Sequence, residues 1–441
     1  MKLNVKNIIS TDYFYRSHYN EISKYINKNT KYLNIFNQNS NVTSDLFENT
    51  LFIEEDKNIN LAIKENVTSQ KLDVIILSNI FELSDDIYET LKSVKRYLKK
   101  DGLLILNSVN PIWYLIINLF EKIGIKEPSN FKAYIKPKKI ENILKAASYE
   151  KIKNYNRLFI PLKLFGIGPF INFITNLLLP FFNLGINNYL IYTNQKIENT
   201  PLSKSIIIPA KNEEGNLDEL IYRIPKFQTQ YEIIIICGES KDNTYEKSLQ
   251  IMNQNKNLNI KVLKQSANGK ANAVWEGLEV TNNEVIAILD SDLSVDPERL
   301  TDFFEIIENG QADFVNGTRL IYKMEKGAMR YLNKVGNVAF QFLISKLTST
   351  NLTDSLCGTK VFKRKNISMI KNWQNKMRFK DPFCDFDLIF SAAYSSQKIV
   401  ELPVHYRSRT YGSTNISRFR DGWKLLFYFI NSYILFKTSS K

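Results

Sequence analysis

EVIAILDSDLSVDP, residues 284–297, carries a run of buried-strand residues into two aspartates, Asp290 and Asp292, with one serine between them. A strand alternates its side chains, so carboxylates at i and i+2 leave the same face where the strand gives way to a loop. Hard oxygen donors at that spacing suit Mg²⁺ or Mn²⁺, the remaining positions going to water and phosphate oxygens. Asp-Ser-Asp is also an ordinary strand-end cap, so the surrounding order of elements has to decide.

That order is regular. Strand SIIIP (205–209) precedes a helix from about Asn216; YEIIIIC (231–237) precedes a helix from about Asn243; IKVLK (260–264) and a helix over 269–281 lead into the quoted strand. Near-continuous β-branched runs indicate strands covered on both faces of a parallel sheet. Ligands of such sheets sit at the carboxyl ends of the strands, where 209–213, 237–242 and 290–292 all fall.

The first half contains LDVIILS (72–78) and GLLILNS (102–108), separated by DDIYETLKSVKRYLKK (85–100) with Ile87, Leu91, Val94 and Leu98 at helical spacing. Strand–helix–strand of this length implies a second parallel sheet. The fold class is therefore α/β, with two Rossmann-like domains. Residues 164–195 contain no charged residue but are broken by Gly166, Gly168, Pro169, Pro180 and Gly185, which predicts a buried or membrane-dipping helical pair. Residues 196–204 read as a linker.

A chain of 441 residues is long enough for two domains. Three scattered cysteines and two distant histidines predict a reducing compartment, with no disulfide framework and no zinc site. The amino-terminal residues lack the apolar core of a secretory leader, which places the expected location in the cytoplasm. The net charge of +14 invites a nucleic-acid reading, yet no basic run is interleaved with stacking aromatics. Lysine enrichment, in a composition also rich in asparagine and isoleucine, accounts for much of the charge; an anionic membrane surface is the partner it leaves open.

Taken together, SIIIPAKNEEGNL (205–217), EIIIICGESKDNT (232–244), NGKANAVWEGLE (268–279) and DSDLSVDP (290–297) resemble the family 2 glycosyltransferases of GT-A fold, and among them the polyprenyl-phosphate sugar synthases. The resemblance spans about 205–425. It implies an inverting, metal-dependent transfer of a sugar from a nucleotide-sugar donor, with Mg²⁺ or Mn²⁺ as cofactor. It assigns the donor to Pro209, Ala210, Asn212, Glu213, Cys237, Asp242, Lys270 and Asp290, and the metal to Asp290 and Asp292. Cys237 stands near a position where the family carries an acid, and Ser294 where it often carries Gln.

Beyond the sheet, 315–333 supplies Arg319, Lys323, Lys326 and Arg330, either a solvated basic face or a phosphate-neutralising cluster. Arg319 matches the family's GSR arginine. DPFCDFDLIFSAA (381–393) offers Asp385 and Asp387 as candidate general bases; VHYRSRTYGSTNISRFRDGWKLL (404–426) offers Arg407, Arg409, Arg418 and Arg420, with Ser413 and Asn415 in a basic acceptor loop. A lipid-phosphate acceptor needs no base, whereas a hydroxyl needs one worth about 10²–10⁴-fold. The expected acceptor is a polyprenyl phosphate; a hydroxyl of a cell-surface glycan or lipid-linked intermediate, and a non-catalytic nucleotide-sugar-binding scaffold, are the alternatives. WKLLFYFINSYILF (423–436) is too short to span a bilayer and reads as buried or interfacial, with 426–441 as a carboxyl-terminal apolar helix. The expected location is peripheral, on the cytoplasmic face of the membrane.

Residues 15–160 resemble class I S-adenosylmethionine-dependent methyltransferases through 72–110. Their cofactor loop is glycine-rich, whereas KYLNIFNQNSNV (31–42) has no glycine, so 1–195 reads as a degenerate scaffold for which S-adenosylmethionine is not expected.

Overall fold

The computed structural model describes residues 11–37, 50–53, 71–78, 80, 84, 86–123, 137–161, 167–178, 184–195, 199–325, 327–409, 411–412 and 418–438. The chain divides into two compact units, Met1–Lys196 and Ile197–Lys441.

In the first unit, strands β1 (Tyr32–Asn37), β2 (Thr50–Ile53), β3 (Leu72–Ser78), β4 (Leu98–Val109), β5 (Tyr149–Arg157) and β6 (Asn187–Asn194) form one sheet in the order β2-β1-β3-β4-β6-β5. The strands are parallel through β4, and β6 runs antiparallel to both its neighbours. The helices are α1 (Thr11–Ile22), α2 (Ile87–Tyr97), α3 (Tyr114–Lys122), α4 (Pro137–Ala146) and α5 (Ile167–Leu178). Asp86 starts α2 by accepting the Glu89 amide at 3.0 Å, as an N-cap does. Helix α2 stops three residues before the predicted end. Leu98 is already extended and paired with Leu72, and Lys99 reaches Asp73 at 2.6 Å, so the strand ladder captures the helix's last turn. Among the described residues of 164–195 there is one helix, Ile167–Leu178, rather than a pair: 187–194 is β6. Its buried run Tyr189, Leu190, Ile191 and Tyr192 is hydrogen-bonded on both edges, where a helix would leave β4 and β5 unpaired.

In the second unit, β7 (Lys204–Ala210), β8 (Tyr231–Cys237), β9 (Ile260–Lys264), β10 (Val285–Ile288), β11 (Phe314–Thr318), β12 (Lys360–Lys363) and β13 (Ile399–Pro403) form a sheet in the order β13-β11-β12-β10-β7-β8-β9. Only β12 is antiparallel to its neighbours. Around it lie α6 (Leu217–Arg223), α7 (Thr244–Gln254), α8 (Lys270–Val280), α9 (Leu300–Glu308), α10 (Tyr331–Thr348), α11 (Asn366–Lys376), α12 (Asp385–Tyr394) and α13 (Arg418–Thr438). Ile206, Ile207, Ile208 and Ile233–Ile236 are buried on both faces of β7 and β8, each contributing about 1.5–3 kcal/mol. The linker ends one residue early, because Lys204 is buried in β7 and paired with Glu308 at 2.6 Å. The carboxyl-terminal helix is longer than its apolar run, 21 residues from Arg418 to Thr438. Among the described residues no helix is long and apolar enough to cross a membrane.

Candidate active site

The loops that leave β7 and β8 are stitched together. Asn212, left-handed at φ 55°, donates its amide to Ser240 Oγ at 3.1 Å and accepts from the Lys241 amide at 2.7 Å. Asp242 accepts the amides of Glu214 and Thr244, each at 3.2 Å, and the Glu213 amide reaches Thr244 Oγ1 at 2.9 Å. Loop β10 joins the same edge through Ser291 Oγ, which donates to the Pro209 carbonyl at 2.9 Å.

Each aspartate of the DSD pair holds a cation of the chain. Asp290 pairs with Lys270, the first residue of α8. Burial opposes ionisation of Asp290, but Lys270, Lys360 and Arg319 outweigh it and hold the carboxyl below its ordinary value. Gly358 lies directly against this pair: a Cβ there would fall 2.0 Å from Asp290 Oδ2 and 2.5 Å from Lys270 Nζ. Asp292 meets Arg409 Nη2 at 2.7 Å through one oxygen. Its other oxygen accepts Ser294 Oγ at 2.6 Å and the Ser294 amide at 3.0 Å. Ser294, where the resembled family often carries Gln, therefore orients Asp292. Nearby, burial pushes Glu213 up to about 7, with the fields of Asp292 and Asp290 adding to it against a bond from Asn216.

Residues 404–409 and 411–412 cross this edge as a strap. Arg407 forks onto Asp296 at 2.8 and 3.2 Å, Arg409 holds Asp292, and the Tyr411 hydroxyl donates to Asp242 at 3.1 Å. Gly412, at φ 76°, sits so close to the Asn212 carbonyl that a Cβ would lie 3.1 Å from it.

Beneath the strap lies a cavity of about 940 Å³. It is lined by Pro209, Ala210, Glu213, Lys270, Asp290, Asp292, Arg319, Arg330, Asp385 and Arg409, bringing together most of the sequence-nominated residues. Lys211, Arg420 and Lys424 also line it, so basic side chains outnumber acidic ones. Arg319 forks onto buried Asp354 at 2.7 and 2.9 Å and lies 4.9 Å from the centre of the Tyr406 ring. Asp385 pairs at 2.6 Å with Lys360, which is fully buried. With a carboxylate oxygen engaged by the chain's own ammonium group, Asp385 is better placed to steer charge than to meet an acceptor hydroxyl.

Other nominated residues do not reach the cavity wall. Cys237 is buried and donates to Ser248 Oγ at 3.3 Å, turned toward α7 rather than the donor edge. Asp387 faces away, accepting from Tyr428 and from Gln374 at 3.0 Å. Asn212 and Asp242 shape the loops behind the wall, and Arg407 is spent on Asp296. Lys326, Ser413 and Asn415 lie outside the described residues. Sequence reading missed Gly358, Lys360, Asp354 and Tyr411. The stretch LTDSLCGTKVFKR (352–364) held the first three, and an aspartate four residues before a glycine, ahead of a basic strand, was the available signal.

The donor chemistry of Asp290 and Asp292 fits Mg²⁺ or Mn²⁺: two hard carboxylates, packed against a glycine that leaves them room and flanked by cations that a metal and diphosphate can displace. Among the described residues no cluster of three or more His, Cys, Asp or Glu side chains forms a metal cage. Further ligands would come from water and phosphate.

Residues 205–370 match the model of the family Glycosyl transferase family 2. The chain is similar to a low-salt glycan biosynthesis hexosyltransferase of Haloferax volcanii (25% identical over 50% of this chain and 51% of that protein). It is also similar to a dodecaprenyl-phosphate galacturonate synthase of Rhizobium johnstonii (24%, 50% and 63%) and a dolichol-phosphate mannosyltransferase of Pyrococcus furiosus (26%, 48% and 58%). The chain thus spans about half to two thirds of the length of the curated relatives it matches. Among solved structures, glucosyl-3-phosphoglycerate synthase from Mycobacterium tuberculosis is similar at 15% identity and a TM-score of 0.40, over 52% of this chain and 78% of that one.

Proposed function

We propose that the second unit is an inverting, metal-dependent glycosyltransferase that moves a sugar from a nucleotide-diphosphate sugar to a polyprenyl phosphate. The observation that carries this reading is the pairing of Asp290 with Lys270 and Asp292 with Arg409 inside a large, net-basic cavity at the carboxyl edge of the sheet. Asp290 and Asp292 would hold Mg²⁺ or Mn²⁺, which when bound neutralises charge on the leaving diphosphate. Lys270 and Arg409, released from the carboxylates, then face the same phosphates, and Arg319 is held ready by Asp354. Asp385, tied to Lys360, supports an acceptor that arrives already ionised; a hydroxyl would need a freer base.

A lipid acceptor also accounts for two exposed apolar helix faces near the cavity mouth. Helix α10 shows Leu332, Val335 and Phe342 to solvent, and α13 shows Trp423, Phe427 and Ile434. Arg330, Arg420 and Lys424 flank them and suit an anionic surface, as on interfacial helices. We read the first unit as a degenerate methyltransferase-like scaffold that does not use S-adenosylmethionine. Its mainly parallel sheet supports that reading.

The test is to incubate the chain with a panel of labelled nucleotide sugars, Mg²⁺ or Mn²⁺, and a polyprenyl phosphate. Metal-dependent label in the organic phase is the expected result. Label passing only to hydroxyl acceptors would favour the second reading, and nucleotide-sugar binding without any transfer the scaffold reading.

A further inference from the structure

Arg319 is aimed by a carboxylate that is itself held from two sides. Asp354 is fully buried, and besides the arginine fork it accepts the Arg319 amide at 3.0 Å. On one side of its loop, Glu401 of β13 accepts the Thr353 amide and hydroxyl, both at 2.7 Å, and the Asp354 amide at 3.2 Å. On the other side stands Asn337. Its Nδ2 donates to Asp354 Oδ1 at 2.6 Å, and its Oδ1 accepts the Ser355 amide at 3.0 Å and the Ser355 hydroxyl at 2.9 Å. Three hydrogen bonds from one amide side chain thus lock the loop that points the arginine.

Glu401 belongs to the sheet and shares its rigidity. Asn337 belongs to α10, of whose 18 residues only Asn337 and Ile344 are buried. A helix gains most of its stability from a packed face, and here the larger apolar face is turned outward. The seat of α10 in water therefore rests on little, partly buried Phe340 and Leu347 beside Ile344, and of its polar tethers, Ser345 to the Leu352 backbone and Asn337 to Asp354, the second leads to Arg319. We propose that Asn337 is a positioning residue that couples the seating of α10 on a lipid bilayer to the placement of Arg319 in the cavity. The bilayer is the occupant that the exposed Leu332, Val335 and Phe342 fit, because α10 packs beside α13, whose outward face is also apolar, and because the flanking side chains and the net charge of +14 are basic. The inference rests on the lipid-phosphate reading above and adds that the surface itself, apart from the acceptor, sets the catalytic arginine.

The experiment uses the full chain, a water-soluble short-chain prenyl phosphate as acceptor, and vesicles of phosphatidylethanolamine and phosphatidylglycerol containing no acceptor. With the wild type, vesicles should raise kcat about 5- to 10-fold and leave KM for the nucleotide sugar unchanged. Asn337→Ala should lower kcat, lose the vesicle response and still sediment with vesicles. Ile344→Ala removes the other buried side chain of α10 and none of the hydrogen bonds that hold Asp354, and should keep the response. An equal vesicle response in Asn337→Ala and wild type overturns the proposal. So does a wild type that turns over the soluble acceptor at one rate with or without vesicles, an outcome that leaves the proposed transfer standing. Absence of turnover on any prenyl phosphate overturns both.

Discussion

Under α1, the central strands of the first sheet carry a neutral network: His18 bonds Ser78 Oγ and the Tyr189 hydroxyl, each at 2.9 Å, and Ser78 donates to Asn34 at 3.1 Å. Beside it lies an ion pair, Arg157 of β5 to Glu21 of α1 at 3.5 Å. The second sheet ends the corresponding edge in aspartates, each matched by a lysine or arginine from another loop. Both edges belong to largely parallel α/β sheets, yet they answer the same topological opportunity differently. A neutral network gains nothing from a phosphate. A set of ion pairs drawn from separate loops can exchange partners with one, because incoming anion and metal reproduce both halves of each pair.

If that contrast is right, the largest loss follows from removing a charge at the second edge. Asp292→Ala should reduce transfer by about 10²–10³-fold, measured as organic-extractable label, while melting temperature changes little. Undiminished transfer would break the comparison at its centre. Gly358→Ala places a methyl group against Asp290 and Lys270 and should cost about 10- to 100-fold in kcat, since small displacements of charged groups are expensive.

Two buried titratable groups tie stability to pH with opposite signs. Asp381 accepts the amides of Phe386 at 2.6 Å and Asp387 at 3.1 Å at the start of α12. Burial, with Asp387 and Asp385 adding like charge, pushes it up to about 7. Between about pH 4 and 7 the folded chain keeps a proton that the unfolded chain releases, so stability falls as pH rises through that window and is flat above it. Asp381→Asn should flatten the slope, by about 1–3 kcal/mol across the window in denaturant titrations.

His18 gives the opposite sign in the first unit. Burial drives it down to about 3, so below its ordinary 6.5 only the unfolded chain takes up the proton. The contribution is complete above pH 6.5 and fades as pH falls toward 3. His18→Leu should reduce the acid sensitivity of the first unit's melting and leave transfer within about twofold of wild type. A large loss of transfer would show that the neutral edge has a part in the chemistry.

The strands that build these edges could be read locally. Residues 72–78, 231–237 and 260–264 coincide with the predicted runs, because consecutive buried β-branched side chains have no competing helical reading. What escaped was set at long range. Residues 187–194 became a strand because β4 and β5 each needed a partner. Arg319 is aimed by Asp354 and Glu401, 35 and 82 positions further along, and Lys360 reaches Asp385 across the sheet. Asp387 matched a motif as well as Asp385 did; only the direction of α12 turns it toward Tyr428. Periodicity reports which face is buried, not which buried groups meet.

The strap that carries Arg407 and Arg409 gives the site a history within each molecule. Asp290, Asp292 and Asp296 leave the ribosome more than a hundred residues before Arg407 and Arg409. At about 5–20 residues per second that interval lasts on the order of ten seconds. For that time the nascent sheet edge carries mutually repelling acids, with Lys270 and Arg223 as the cations already made that pair with it. Arg407, and Arg409 with its proposed place beside substrate phosphates, thus serve first to quiet an acidic edge that the chain has already displayed.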